Sequence, residues 1–179
     1  MNMLSLFSGV GMIDLAASWC GINTVAFCEI EEYPQEILQK RFKGVPIYDD
    51  VIKLTAAKLR QDSVPSIDII CGGFPCQDVS TAGKRKGFKD EEGNCTRSGL
   101  WTEYARLIGE IKPKWIVAEN VRGLLSIEAM GRRGGGFGII LRDLAEMGYD
   151  AAWSCYGASD VGAPHKRERV FVVAHTRCQ

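Results

Sequence analysis

Short apolar runs alternate with amphipathic stretches along the chain. Strands that are buried on both faces read as continuous apolar runs, and the helices that cover them read as amphipathic stretches. The alternation therefore predicts an α/β protein with a mostly parallel, doubly wound sheet. The predicted strands are Met3–Phe7, Thr24–Ile30, Val45–Val51, Ile67–Gly73, Lys114–Asn120, Ala151–Tyr156 and Arg169–His175. The predicted helices are Met12–Trp19, Tyr33–Phe42, Lys53–Gln61, Gly99–Ile111 and Phe137–Met147.

Two segments depart from this alternation. The last two predicted strands are joined by a polar loop, which favours an antiparallel hairpin at one edge of the sheet. The glycine-rich segment GRRGGGFG, 131–138, is compositionally biased, and we expect a surface loop there rather than an RNA-binding segment. No internal repeat is present, so we expect residues 1–179 to form a single domain.

The composition is typical of a soluble globular protein, with 46% hydrophobic and 25% charged residues among 179. This length accommodates one domain with a real core, or part of a larger one. No apolar run approaches the roughly 18 residues that a membrane helix needs, and the N-terminus MNMLSLFSGVGMIDL has no charged leader. We therefore expect a cytoplasmic protein with no membrane partner.

Net charge and cysteine content limit which ligands we expect the chain to bind. Lysine plus arginine and aspartate plus glutamate each total 22, so any contact with nucleic-acid phosphates must come from local clusters. The seven cysteines are scattered and include no C-x-x-C pair. This pattern argues against a disulfide framework and against structural zinc, and we expect no bound metal.

A glycine turn, FSGVG, follows the first predicted strand and contains Gly9 and Gly11. Glu29 ends the second strand about 20 residues later, where a carboxylate can hydrogen-bond ribose hydroxyls. A dinucleotide fingerprint requires a third glycine, but the chain has Asp14 at that position. Because a carboxylate at a helix start repels a pyrophosphate, the turn favours a cationic nucleoside without phosphate, such as S-adenosylmethionine. Asp50, at the end of the third predicted strand, is a candidate acceptor for an adenine amino group.

A thiol, a carboxylate and two guanidinium groups follow later strands of the predicted sheet. Cys76 stands after Pro75, which restricts the adjoining backbone and helps to aim the thiol. A lone loop cysteine is ordinarily unremarkable, but Glu119 ends the next strand, and Arg167 and Arg169 precede or begin the last one. Together these groups can perform nucleophilic chemistry on an electron-poor ring.

Four segments of the chain resemble the motifs of bacterial and phage DNA cytosine-5 methyltransferases. LFSGVGMIDLA resembles the cofactor motif, and GGFPCQDVSTAGKRKGF resembles the Pro-Cys-Gln catalytic loop. ENV resembles the Glu-Asn-Val motif, and GAPHKRERVFVVA resembles the arginine motif. The segments occur in the family's order and cover nearly the whole chain. The resemblance implies a Rossmann-like, S-adenosylmethionine-dependent methyltransferase fold.

The resemblance also implies a mechanism and a set of site residues. A Cys76 thiolate, favoured by the nearby cation of Arg167, adds to C6 of cytosine and makes C5 nucleophilic. Glu119 hydrogen-bonds N3, Arg169 donates to O2, and C5 takes the methyl group of S-adenosylmethionine before its proton leaves. The implied cofactor contacts are Phe7, Gly9, Gly11, Glu29, Ile30, Asp50, Val51, Phe74 and Leu100.

The substrate implied by this resemblance is double-stranded DNA with its target cytosine flipped out of the helix. The basic loop after Cys76 is expected to close on backbone phosphates, although such a run is commonly just a solvated surface loop. The expected phosphate contacts are Ser80, Lys84, Arg85, Lys86 and Lys89.

The chain departs from the family's pattern in two places. His165 stands where the family often has glutamine, and we expect a modest effect because either side chain can donate a hydrogen bond. The chain ends at AHTRCQ, before the family's target-recognition region and last cofactor motif. Three explanations stay open: a split enzyme completed by a second polypeptide, a truncated or decayed gene, and a piece cut for study.

Alternative functions remain at this point. The chain could be an inactive remnant that binds only cofactor or a partner, through apolar surface left by the missing region. A nicotinamide oxidoreductase on a similar sheet is disfavoured by Asp14 and by the pairing of Cys76 with Glu119. An RNA cytosine methyltransferase of the same family uses identical chemistry at C5.

Overall fold

The computed structural model describes residues 1–75, 100–126, 128–129 and 132–177. The strands predicted along the chain are present, and their ends shift by a few residues. Their bounds are Asn2–Leu6 (β1), Asn23–Cys28 (β2), Ile47–Tyr48 (β3), Ile69–Gly73 (β4), Trp115–Val121 (β5), Glu128–Ala129 (β6), Arg132–Arg133 (β7), Tyr149–Tyr156 (β8) and Arg169–Thr176 (β9).

Five α-helices lie between these strands in the described part of the chain. Their bounds are Met12–Trp19 (α1), Glu32–Arg41 (α2), Ala56–Gln61 (α3), Leu100–Ile111 (α4) and Gly135–Glu146 (α5). Residues 122–126 and 158–161 form short 3-10 helices. None of the helices in the described ranges is both long and apolar enough to cross a bilayer.

Within the described ranges, the main sheet has seven strands in the order β3-β2-β1-β4-β5-β9-β8, and β6 pairs with β7 in a separate two-stranded sheet. β1 runs parallel to both β2 and β4, whereas β8 and β9 are antiparallel. The prediction of a doubly wound sheet with an antiparallel C-terminal hairpin is therefore confirmed.

The chain divides into two compact units. The first unit comprises residues 1–73 and 103–117, and the second comprises 74–102 and 118–179. The core of the first unit is formed by side chains of its strands, including Leu4, Leu6, Phe27 and Ile70, each fully buried. β1 and β4 approach closely at Gly72, where an added Cβ would lie 2.2 Å from the carbonyl oxygen of Leu6.

The second unit is organised around α5 and the β8–β9 pair. Phe137 of α5 packs edge-on against Trp153 of β8, with ring centroids 5.2 Å apart. Trp101 of α4 donates its indole N–H to Asp143 of α5 at 2.9 Å. These contacts fix α5 against β8 and against the beginning of α4.

The glycine-rich segment 131–138 differs from its prediction as a surface loop. Arg132–Arg133 forms β7, and α5 begins at Gly135. Gly134 serves as the N-cap of α5 with φ 80°, a left-handed conformation that glycine adopts without strain. Phe137 is buried, so the apolar residues that follow the glycines provide the burial that keeps the helix in place.

Candidate active site

The glycine turn after β1 is tied directly to the end of β2. The backbone N–H of Gly9 donates to one carboxylate oxygen of Glu29 at 2.6 Å. The other oxygen accepts from the N–H of Glu31 at 3.0 Å. Glu29 is buried, and a carboxylate has about four lone-pair sites, so it retains acceptor capacity for a ligand hydroxyl. The structure therefore brings together the turn and the carboxylate that the sequence predicted.

Three residues of this turn, Phe7, Gly9 and Gly11, adopt left-handed backbone conformations. Phe7 has φ 52°, an uncommon value for a residue with a side chain, and its ring stacks on Tyr104 of α4 at 6.5 Å. Gly11 has φ 78°, and an added Cβ would lie 2.7 Å from the ring of Phe42. Non-glycine residues in this conformation cluster at ligand sites, which agrees with the prediction that Phe7 belongs to the cofactor turn. Gly11 adopts it without strain.

The remaining predicted cofactor residues of the first unit follow β2 and β3. Ile30 is 70% exposed, so its side chain is available to a ligand. The side chain of Asp50 is 23% exposed. It accepts the N–H of Ile52 at 2.9 Å and lies 3.6 Å from the Nζ of Lys53, while Val51 is buried. Asp50 and Val51 thus begin a tight turn, in which the carboxylate is partly exposed and the valine is anchored in the core.

The electrostatic character of this region is negative. The pKa of the buried Cys28 thiol is raised to about 12, first by burial and then by the carboxylates of Asp50, Glu29 and Asp49. Arg41 contacts the turn through the carbonyl oxygen of Val10 at 3.3 Å. Three carboxylates around the ends of β2 and β3 suit a cationic nucleoside without phosphate better than a dinucleotide.

Asp14 does not contribute to that surface. Its carboxylate accepts hydrogen bonds from the hydroxyls of Ser5, at 3.0 Å, and Thr24, at 2.9 Å. The side chain is buried, and burial raises its pKa despite these hydrogen bonds. Asp14 therefore anchors α1 to β1 and β2, and its buried carboxylate does not supply the charge at the helix start that the sequence predicted.

In the second unit, Glu119 and Arg169 form a partly buried ion pair. The Nε of Arg169 lies 2.8 Å from a carboxylate oxygen of Glu119, and both side chains are about three-quarters buried. Burial raises the pKa of Glu119, although the cations of Arg169 and Arg167 oppose this shift. Glu119 therefore holds a proton more readily than an ordinary glutamate, as a hydrogen-bond donor to a base nitrogen requires.

The segment that carries Arg167 is held by backbone and side-chain contacts. The carbonyl oxygen of Lys166 accepts from the N–H of Ala158 at 2.8 Å. Glu168 pairs with Arg122, with the two charged atoms 2.6 Å apart. Arg167 itself has φ 23°, outside the conformations that side chains usually allow. This constrained backbone places both arginines of the predicted set near Glu119.

The backbone before Cys76 is held by Asn120, a residue to which the sequence prediction gave no role. The amide nitrogen of Asn120 donates to the carbonyl oxygen of Phe74 at 3.0 Å, and its oxygen accepts from the N–H of Val121 at 2.8 Å. Phe74 packs against Trp101 with ring centroids 5.5 Å apart. The sequence signal that could have indicated this role is an asparagine inside a predicted buried strand.

Several predicted site residues belong to the part of the chain that the structure does not describe. Cys76 and all five predicted phosphate contacts lie in residues 76–99, outside the described ranges. Leu100, a predicted cofactor contact, is the first residue of α4 and is half-buried. Among the described residues, no group of three histidine, cysteine, aspartate or glutamate side chains could hold a metal ion.

Replacing Asn120 by alanine is expected to reduce the stability of the protein. It should also slow a reaction that requires the backbone at Phe74 to be held in place. Loss of a buried hydrogen bond costs about 1–3 kcal/mol. Thermal unfolding and reaction rate should both be measured against Asn23→Ala, which removes an exposed asparagine from β2. Equal stability and equal rates for the two variants would contradict this positioning role.

Several known proteins are similar to this chain in sequence. The family model described as C-5 cytosine-specific DNA methylase matches residues 1–179. Type II methyltransferase M2.BsuMI of Bacillus subtilis (strain 168) is 35% identical over 178 residues, covering 97% of this chain and 42% of that protein. Type II methyltransferase M.HhaI of Haemophilus parahaemolyticus is 32% identical over 173 residues, covering 97% and 48%. The chain thus spans less than half the length of these curated relatives.

Solved structures show the same architecture. A crystal structure described as that of a DNA modification methyltransferase encoded within a prophage (E. coli) superposes with a TM-score of 0.78 at 28% identity, covering 98% of this chain and 47% of that one. The S. pombe Dnmt2 methyltransferase gives a TM-score of 0.72 at 20% identity, covering 100% and 52%. The second likeness concerns the fold alone, and together they confirm the predicted methyltransferase fold.

Proposed function

The chain belongs to the C-5 cytosine-specific DNA methylase family, and on this premise we propose that it carries the catalytic residues for methyl transfer to C5 of cytosine in DNA. The observation that carries the proposal is the Glu119–Arg169 pair, 2.8 Å apart and partly buried. A carboxyl group that protonates readily beside a fixed guanidinium can bind the polar edge of a pyrimidine.

Cytosine C5 is too weakly nucleophilic to take a methyl group unaided, and Cys76 is proposed to overcome this. Its thiolate forms a covalent bond to C6, and the electron pair moves to make C5 enamine-like. Arg167 follows the turn at 157–166 and supplies a positive charge that favours the thiolate. After C5 is methylated, its proton leaves, the bond from sulfur to C6 breaks, and 5-methylcytosine is released.

Glu119 and Arg169 are proposed to bind the base while these bonds change. Protonated Glu119 donates to N3, where negative charge develops when sulfur attacks C6. The Nε of Arg169 pairs with Glu119, and its Nη1 donates to the carbonyl oxygen of Glu168 at 2.9 Å. A guanidinium has five N–H donors in all. A remaining donor can reach the cytosine O2. The ion pair also orients both side chains before the base arrives.

S-adenosylmethionine, when bound, supplies an electrophilic methyl group attached to a sulfonium. The residues of the first unit fit this cofactor because their carboxylates match a cation and a ribose. Glu29 is proposed to accept from ribose hydroxyls and Asp50 from the adenine amino group, with Ile30 against the adenine face. Gly9, Gly11 and Phe7 shape the turn beside it. Val51, Phe74 and Leu100 remain proposed cofactor contacts.

The proposed substrate is double-stranded DNA in which one cytosine has been flipped out of the stack. The flip is required because Cys76 cannot reach C6 within a duplex, and it costs a few kcal/mol. Part of that cost is proposed to be offset by phosphate contacts from Ser80, Lys84, Arg85, Lys86 and Lys89.

Covalent trapping tests the proposal. The chain is incubated with labelled S-adenosylmethionine and duplex DNA containing 5-fluorocytosine, first alone and then with any polypeptide encoded beside it. Because fluorine at C5 prevents the final proton loss, a competent enzyme stays attached to the DNA. We expect a labelled adduct for the wild type and none for Cys76→Ser.

The matched control is Cys20→Ser, which removes an exposed thiol from the end of α1. This variant should form as much adduct as the wild type. Cofactor binding without any adduct in either condition would instead support a remnant that binds cofactor or partner only. Transfer to RNA but not to DNA would assign the same chemistry to a different substrate.

A further inference from the structure

Arg106 of α4 is the centre of a hydrogen-bonded network that the catalytic and cofactor assignments leave unused. Its Nη2 donates to the carbonyl oxygens of Val51 and Leu54, each at 2.9 Å. Its Nε donates to Glu103 and its Nη1 to Glu110, each at 2.7 Å. One side chain therefore connects two carboxylates of its own helix to the backbone of a distant turn.

The network continues from Glu110 to the start of α3. The second carboxylate oxygen of Glu110 accepts from the N–H of Ala56 at 2.8 Å. At the other end of the turn, Asp50 accepts from the N–H of Ile52. Segment 50–56, which lies between β3 and α3, is thus fixed at its beginning, middle and end.

The chemistry of these contacts requires arginine. The guanidinium is a planar fork whose N–H groups point in several fixed directions, so it can serve two carboxylates and two carbonyls at once. The side chain of Arg106 is 29% exposed, so solvent only partly screens the interactions. A lysine could satisfy some of these acceptors but not all of them in one geometry.

We propose that Arg106 is a positioning residue, which holds segment 50–56 in the conformation that presents the carboxylate of Asp50 to S-adenosylmethionine. The inference rests on the proposed function because it concerns the same cofactor residues. Arg106 does not itself contact the cofactor. Without it, the segment samples other conformations, and binding must then restore the productive one, which lowers affinity.

Calorimetric titration of the purified chain with S-adenosylmethionine tests the effect on binding. We expect Arg106→Met to weaken binding about tenfold or more, as loss of about one charge-assisted hydrogen bond would. Arg106→Lys should fall between this variant and the wild type. Two control variants should bind S-adenosylmethionine with an affinity within about twofold of that of the wild type. Ile108→Val removes one buried carbon from the same helix, and Lys114→Met removes a cation that pairs with Asp68 at 3.0 Å.

Hydrogen–deuterium exchange separates positioning from a general loss of stability. In Arg106→Met, the amides of 50–56 should exchange faster, while those of β1, β2 and β4 keep their protection. Unchanged exchange at 50–56, faster exchange throughout the chain, or wild-type affinity in Arg106→Met would each overturn the inference. If the wild type itself binds no S-adenosylmethionine, the proposed function fails, and the exchange pattern still decides whether Arg106 fixes this segment.

Discussion

Glu119→Gln is expected to lower the rate of methyl transfer by about 10²- to 10⁴-fold, the usual contribution of a general acid. Glutamine is nearly isosteric with glutamate and can still accept a hydrogen bond from Arg169. It cannot hold or release a proton at N3, so the charge that develops on the base is not neutralised. Single-turnover rates with saturating DNA and cofactor give the comparison. A rate within about threefold of the wild type would show that Glu119 is not the acid.

In the absence of DNA, the same variant is expected to change how the free energy of unfolding depends on pH. Because the pKa of Glu119 is raised above its ordinary 4.5 in the folded protein, its contribution to stability is fully present below pH 4.5. This contribution is lost as pH rises through the raised pKa. The free energy of unfolding of the wild type, minus that of E119Q, should therefore fall across this range.

Glu110→Gln is the control, because the contribution of Glu110 to stability should depend on pH in the opposite direction. Burial tends to raise the pKa of Glu110, but the N–H of Ala56 and the guanidinium of Arg106 lower it overall. Its contribution to stability is therefore present above pH 4.5 and lost as pH falls through the lowered pKa. Denaturant titrations of both variants at several pH values should show opposite slopes. Parallel slopes would contradict the environment assigned to Glu119.

Gly72→Ala is expected to lower the free energy of unfolding strongly. The new Cβ would meet the carbonyl oxygen of Leu6 at 2.2 Å, and backbone cannot move aside as a flexible side chain can. Overpacking of this kind costs about 3 kcal/mol or more. For a chain of this size the midpoint of thermal unfolding should fall by on the order of 10 °C.

Gly109→Ala is the matched control, because its Cβ would meet nothing within 4 Å on the exposed face of α4. Alanine is the better helix former by about 0.5–1 kcal/mol, so this variant should unfold at a slightly higher temperature. Thermal unfolding followed by circular dichroism measures both. A Gly72→Ala midpoint equal to that of the wild type would mean that β1 and β4 can separate at little cost.

The order and type of the main elements could be predicted because local patterns determine them. α1 has the predicted bounds Met12–Trp19, since glycines flank it on both sides. The helix predicted from Lys53 begins only at Ala56, because Asp50 first forms a tight turn and the hydroxyl of Thr55 caps the helix through the N–H of Lys58. Competition between turn and helix among neighbouring polar residues is hard to judge from sequence.

The candidate site was predictable in its residue types but less so in its contacts. Motif order placed Glu119 near two arginines, and the structure pairs it with Arg169. The burial of Asp14 depends on Ser5 and Thr24, and the network of Arg106 depends on Val51 and Leu54. These partners lie on other elements and are chosen by side-chain conformation, so a linear pattern does not specify them.

The central claim is that the thiol of Cys76 attacks the same cytosine that Glu119 binds. Peptide mapping of the complex trapped on 5-fluorocytosine DNA tests it most directly, because mass spectrometry identifies the cysteine that carries the nucleotide. The account predicts an adduct on the peptide containing Cys76 in the wild type and a greatly reduced yield in E119Q. An adduct on Cys20 or Cys155, or a yield unaffected by E119Q, would contradict it.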